Sequence, residues 1–326
     1  MDCSEAAEFA AYTPQMVILV FQIFLCILSI ATNLLFIRYC KKALFFHKGC
    51  RVLLWTVIAV NILHSILILI LQVTHVFKIL TSVEACDVLV PPLFCFVFRM
   101  PATACFSAHV TVHLAMAIER GIATKQMSTY EKSDGRIGFI MAILSVIFAL
   151  GIASYGMHKY NIEEETFYCS AATTDTINDT TTGGYLIVAM EAVILIMFGM
   201  LYIWNIKREK SASYDFCSKY QNRENLAVLR LLMPMVLLHF VIYSCFISAN
   251  TIASSIRHLF DSKSAFRAYI SAVYIVPVYT VCSPLLLWWI VNQHRRIRSQ
   301  QLNIMSSKPT NIHDIYFSNY AEAWNR

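Results

Sequence analysis

Seven stretches of this chain run for 20 or more residues with almost no charge, and no motif constrains the fold as strongly. They cover 14–37, 52–76, 93–118, 137–157, 185–204, 226–252 and 268–291, and only Arg99, Glu191 and Arg230 are charged within them. About 20 apolar residues in a helix cross the ~30 Å hydrocarbon layer of a bilayer. Lipid offers the backbone no hydrogen-bond partners, so a single spanning segment must satisfy itself as a helix. The composition agrees: 58% of residues are hydrophobic and 14% charged, where soluble domains carry about 25% charge. The expected fold is all-α, a seven-transmembrane helix bundle. An amino-terminal segment (1–13), the bundle (14–291) and a tail (292–326) are its parts.

Basic residues set the orientation, because short cytoplasmic loops collect them. With the amino terminus outside, segments 38–51, 119–136, 205–230 and 292–326 face inward and hold 20 of the 26 Lys and Arg. The outer segments hold five, and Arg99 lies within the third span. The amino terminus is therefore expected outside and the carboxyl terminus in the cytoplasm. Asp2, Glu5 and Glu8 precede the first span with no Lys or Arg, which reads as a first span and not a cleavable leader. Asn178-Asp179-Thr180 is a glycosylation sequon, expected in the second outer loop. The basic tail "NQHRRIRSQQLNIM" suits anionic lipid and an interfacial helix carrying Ile297, Leu302 and Met305. No basic stripe interleaved with aromatics suggests nucleic acid.

Four cysteines fall outside: Cys3, Cys86, Cys95 and Cys169. A bridge from the third span to the second outer loop needs Cys169, the one cysteine of that loop. Counting back 25 residues from Arg120, about seven helical turns, reaches Cys95 at the outer end. That favours Cys95 over Cys86 as the partner of Cys169, and leaves Cys3 and Cys86 to pair or remain free. No cofactor is indicated, and no CxxC or Cys/His spacing suggests a metal.

Polar residues inside the spans are candidates for function. Arg99 could snorkel outward, pair with Glu191 or meet an anionic ligand. His109, His113 and His239 read as interhelical hydrogen-bonded contacts before ligand groups. Phe94, Phe98, Phe106, Tyr243, Phe246, Tyr269 and Tyr274 could floor a pocket, although packing is the default for most. The candidate pocket is Arg99, Phe106, Glu191, Tyr243 and Tyr269. Pro234, Pro277 and Pro284 are expected to kink the sixth and seventh spans.

The third span ends in "AMAIERGIATKQMSTYEK", with the acid–base pair Glu119-Arg120. Such a pair on the third of seven helices resembles a G-protein-coupled receptor. The resemblance implies that Glu119 restrains Arg120 at rest, that Glu224 can bridge to it, and that the freed Arg120 meets a heterotrimeric G protein. Asn33 and Ser283-Pro284 match that class. Gly121 stands in place of its usual aromatic, Asn61 in place of an Asp, no Tyr follows Pro284 at the expected spacing, and the fourth span has no Trp. "RYCKKALFFHKGCRVLL", "CDVLVPPLFCFVFRMP", "AIERGIATKQMSTYEK" and "KYQNRENLAVLRLLMP" together resemble the nematode serpentine chemoreceptors, most closely class alpha/beta of the Sra superfamily. Ile118-Glu119-Arg120, Ala123-Thr124, Tyr130-Glu131, Tyr220-Gln221 and Glu224-Asn225 carry that likeness. It implies a plasma-membrane receptor of sensory neurons for a small-molecule chemical cue.

Other classes fit less well. A ligand-gated channel of inverted topology would put the basic segments outside, and a transporter would show repeated halves with matching breaks. A retinal protein needs a Lys in the seventh span, and 268–291 has none. No paired carboxylates, HExxH or phosphate loop suggests an enzyme.

Overall fold

A computed structural model describes residues 3–40, 47–126, 135–163, 165–173, 175–210 and 216–307. Seven of its helices are long and apolar enough to cross a membrane: Thr13–Cys40, Lys48–Thr81, Pro92–Lys125, Arg136–Met157, Ile177–Lys210, Asn222–Ala253 and Lys263–Gln293. They are called the first to seventh spans below. Among the described residues there is no strand, only an isolated antiparallel bridge between Val90 and Thr166.

The third span is the axis of the bundle, packing on the second, fourth, fifth and sixth, while the seventh closes the ring against the first. Its start is set by Pro91 and Pro92, since proline suits a first turn whose N–H groups have no intrahelical partner. The fourth span is peripheral and turns Phe139, Ile140, Ile143, Leu144, Ile147 and Phe148 outward, a surface suited to lipid tails.

Which face points inward is decided by polarity. Gln15, Leu19, Gln22, Cys26, Ser29, Asn33, Phe36 and Cys40 are the buried line of the first span, at steps of four and three. Four of these eight are polar, and they meet partners on the second and seventh spans. Gln15 Nε2 donates to Ser271 Oγ (3.1 Å), Gln22 Nε2 to the Ser271 carbonyl (2.6 Å), and Gln72 Nε2 to Gln22 Oε1 (2.5 Å). Lipid cannot satisfy these groups, so they turn toward one another.

The seventh span breaks between Val273 and Val276. Pro277 explains it, because a proline lacks the N–H that would bond Val273 and its ring clashes with that carbonyl. Pro234 and Pro284, expected to kink their helices, lie inside helices that run on without a break, as does Pro101, and an unbroken helix is compatible with a kink. The basic stretch after the seventh span is helical through Ser307 and continuous with it, not a separate helix. The side chains of Ile297, Leu302 and Met305 and all of Tyr130 and Glu131 lie outside the described residues.

At the disulfide end, Cys95 bonds Cys169 and Cys3 bonds Cys86. The amino-terminal segment is a helix, Cys3–Ala11, whose buried Phe9 packs on Phe167 and Tyr168 at ring distances of 5.0 and 6.1 Å. Glu5 forms an ion pair with Lys263 at the start of the seventh span. Asp87 accepts from the Val83 and Glu84 amides in the turn that carries Cys86, and those bonds hold its carboxyl below its ordinary pKa. Asn178 is exposed in the first turn of the fifth span and not in a loop. Thr173 and Thr176 start that helix early, with the Ile177 amide bonded to the Thr173 carbonyl.

One crossing depends on having no side chain. A Cβ on Gly138 would stand 2.4 Å from the Cα and carbonyl oxygen of Gly49 in the second span. Backbone cannot step aside as a flexible side chain can, so Gly138→Ala is expected to destabilise by ~1–3 kcal/mol or more. A Cβ on Gly151 meets nothing within 4 Å, which makes Gly151→Ala the control. Thermal melting of the purified variants should separate them, and equal melting temperatures would contradict the close crossing.

Candidate functional site

The interior holds two polar systems. The first is centred on Asn61, which is fully buried. Its amide nitrogen donates to Asn33 Oδ1 (3.2 Å) and Ser283 Oγ (2.9 Å), joining the first, second and seventh spans. Its oxygen therefore accepts, and His109 Nε2 lies 2.9 Å away. A neutral His109 then carries its proton on Nε2 and accepts at Nδ1 from the Tyr243 hydroxyl, at 2.7 Å. Both ring nitrogens are satisfied, and His109 makes the interhelical contact expected of it. His64, one turn from Asn61, reaches the Tyr274 hydroxyl at 2.7 Å, beside the break in the seventh span.

Aromatic rings extend this system. The Arg99 guanidinium stands 5.0 Å from the Tyr274 ring centre, a cation–π arrangement. Tyr274 contacts Phe246, Phe246 contacts Phe106, and Phe106 stacks on Tyr243 at 4.6 Å. Tyr243 lies 3.8 Å from the His239 ring, and His239 Nδ1 is 2.7 Å from Glu191 Oε1. Of the three readings left open for Arg99, the pair with Glu191 is not the arrangement described. Each has its own neighbour, the Tyr274 ring for the cation and the His239 ring for the acid, at opposite ends of one chain of rings. Arg99, Phe106, Tyr243 and Glu191 share this chain. Tyr269 stands apart from it, contacting Phe260 and donating to the Ala249 carbonyl.

The second system lies at the other end of the third span. The helix continues five residues past Arg120 to Lys125, so the acid–base pair sits within it and not at its end. Glu119 is 0% and Arg120 3% exposed. Arg120 binds both carboxylate oxygens, Nε to Oε2 and Nη2 to Oε1, each at 2.6 Å, the bidentate geometry that makes such pairs strong. Its Nη1 donates to Asn225 Oδ1 on the sixth span at 3.2 Å. Asn225 Nδ2 donates to Thr124 Oγ1 (2.6 Å) and to Asn205 Oδ1 on the fifth span (3.2 Å). Asn205 Nδ2 also donates to Thr124 Oγ1, and Arg208 to the Thr124 carbonyl. The third, fifth and sixth spans are therefore locked around Arg120. The described bond from Arg120 to the sixth span goes to Asn225, one residue beyond Glu224.

Sequence reasoning quoted Thr124 and Asn225 without giving them a role, and missed Asn205. The available signal was an uncharged amide or hydroxyl near the end of an apolar run. His64, Gln72 and His75 carried the same signal within the second span. His75 accepts from the Cys169 amide at 3.1 Å and stacks on Tyr168, which seats the disulfide loop.

Seven spans, a disulfide from the third span to the segment before the fifth, and a buried acid–Arg lock define a serpentine membrane protein. The family model "Serpentine type 7TM GPCR receptor class ab chemoreceptor" matches residues 1–325, and the chain belongs to that family. Serpentine receptor class alpha/beta-14 of Caenorhabditis elegans is 21% identical over 91% of this chain and 78% of its own length. Serpentine receptor class beta-17 of the same organism is 22% identical over 87% and 79%, and class alpha-39 is 26% identical over 47% and 41%. The protein is accordingly a multi-pass membrane protein of the serpentine chemoreceptor class.

Proposed function

We propose that this chain is a plasma-membrane chemosensory receptor that binds a small chemical cue within the bundle and activates a heterotrimeric G protein from its Arg120 end. One observation supports the reading above others: a guanidinium buried on the third span holds the sixth through Asn225. A bundle that only needed a charged helix end would leave that group in water. A buried pair is weak evidence for stability, and its best-attested use is as a switch. Opening the sixth span would break the Asn225 contact and free Arg120 for a partner entering at the inner rim. Glu224 lies at the same rim and belongs to the proposed switch with Glu119 and Arg120.

The basic bias of the inner segments supports an outside amino terminus, which places exposed Asn178 where glycosylation can occur. The aromatic chain from Arg99 to Glu191 supports a cue site between the third, sixth and seventh spans. Sensory neurons are the proposed site of expression, on the family's chemoreceptor description. A calcium-reporter screen of receptor-expressing cells against volatile and water-soluble chemicals tests the reading. A dose-dependent response that disappears when coupling is blocked would support it. A ligand-evoked current that persists without any G protein would overturn it.

A further inference from the structure

His113, Glu191 and His239 come from the third, fifth and sixth spans and meet in the interior, each 0% exposed. One ligand atom from each lies within 4.8 Å of the others. Together they present six polar side-chain atoms, and five of them have no hydrogen bond: His113 Nδ1, both Glu191 oxygens and both His239 nitrogens. The sixth, His113 Nε2, faces the Tyr279 hydroxyl at 3.4 Å. His239 Nδ1 and Glu191 Oε1 approach to 2.7 Å, yet neither atom has a hydrogen bond.

The contrast with His109 is informative. That ring, equally buried on the same third span, has both nitrogens satisfied by Asn61 and Tyr243. His64 lacks a partner at one nitrogen, Nδ1, whereas this trio brings five such atoms together at one place. Buried polar atoms in native proteins nearly always have partners. Converging lone pairs on two imidazoles and a carboxylate would be satisfied together by one cation.

We propose that His113, Glu191 and His239 form a binding site for a divalent transition-metal ion of the zinc type. Two imidazoles with one carboxylate suit zinc and its neighbours, whereas magnesium and calcium require more oxygen ligands. Ligand atoms around tetrahedral zinc stand roughly 3.3 Å apart, so small side-chain rotations convert the observed cluster into a coordination shell. Three protein ligands leave a fourth position for water or for a donor atom of a small molecule. Because the ligands belong to three spans, the ion would cross-link the sixth span to the third and fifth. His113 is seven residues from Arg120, about two helical turns, so the cross-link sits just above the Arg120 lock. Sequence spacing gave no sign of it, since each span contributes a single ligand.

The test uses full-length receptor purified through a tag without histidine, stripped with a chelator and titrated with Zn²⁺ against a chromophoric competitor. The proposal expects one ion per receptor at micromolar affinity or tighter. Glu191→Gln and His239→Ala should each weaken it at least ~10-fold, as changes to metal sites commonly do, while His158→Ala at the exposed rim leaves it unchanged. Wild type loaded with Co²⁺ provides a readout independent of variant folding. Intense visible absorption of a four-coordinate nitrogen–oxygen site is the expected spectrum. Failure of wild type to take up one ion per receptor would overturn the proposal, as would unchanged affinity in Glu191→Gln. Neither readout depends on signalling, so the proposed receptor function stands or falls separately.

Discussion

Cys169→Ser is expected to remove most of the protein from the cell surface and to lower the melting temperature of what is purified. Breaking a native disulfide commonly costs about 2–5 kcal/mol. Cys169 is buried, and its bond anchors a segment that also reaches inward through the His75–Cys169 amide bond and the Val90–Thr166 bridge. Cys3→Ser is expected to do much less. The two bonds join residues 74 and 83 apart, so loop entropy, which grows only with the logarithm of length, scarcely separates them. The difference lies in the folded state. Without its bond the Cys3–Ala11 helix still holds through Phe9 and the Glu5–Lys263 pair. Without Cys169 the cover over the bundle loses its tie to the central span. Surface biotinylation of the two variants, with melting curves, measures the difference. Equal surface levels would show that the Cys95–Cys169 bond does not hold the bundle's cover.

How much of this could be read in the chain depends on range. The seven spans followed from apolar length alone, because the bilayer dictates the length of every crossing. Their ends did not follow. The third span passes Ile118 to Lys125, and the fifth starts at Ile177, eight residues before the apolar run. Helices continue into water wherever polar side chains supply caps, and hydropathy does not register caps. The break before Pro277 was legible as a proline effect. Proline composition could not show which of the three prolines would interrupt its helix, and Pro234 and Pro284 do not. The interior was half legible: polar residues such as Asn33, Asn61 and His109 announced a buried face because lipid gives them no partner. Which of them met was not. For Arg99, snorkelling, a pair with Glu191 and a ligand contact were all open from sequence, because rotation of each helix about its axis decides contact; in the fold His239 faces the acid. The lock at Arg120 shows the same limit. Glu119 adjoins Arg120 in sequence and was readable, whereas Asn205 and Asn225 reach it from other helices.

That lock carries the second large expected effect. Glu119→Gln keeps the shape of the side chain and removes the charge that holds Arg120. A coupling of about 1–3 kcal/mol between the restrained and free states corresponds to a roughly 5- to 150-fold shift in population. Basal signalling is therefore expected to rise severalfold, and Glu224→Ala should raise it in the same direction. Arg120→Ala alone is a poor test. It would leave a buried carboxylate unpaired, at a cost of about 3–5 kcal/mol, and lost signal could then mean lost protein. The double variant Glu119→Gln/Arg120→Gln removes both charges together and keeps two amides able to bond Asn225. It is expected to reach the surface near the wild-type level and to be silent.

Guanine-nucleotide exchange on a panel of purified heterotrimers, catalysed by receptor reconstituted in lipid discs, tests this most directly. At least one heterotrimer should exchange faster with wild-type receptor than with empty discs, and several-fold faster again with Glu119→Gln. The double variant should return it to the empty-disc rate while remaining folded and monodisperse. Exchange by the double variant as fast as by Glu119→Gln would contradict the account, and the buried pair would then serve only to fasten one helix to its neighbours.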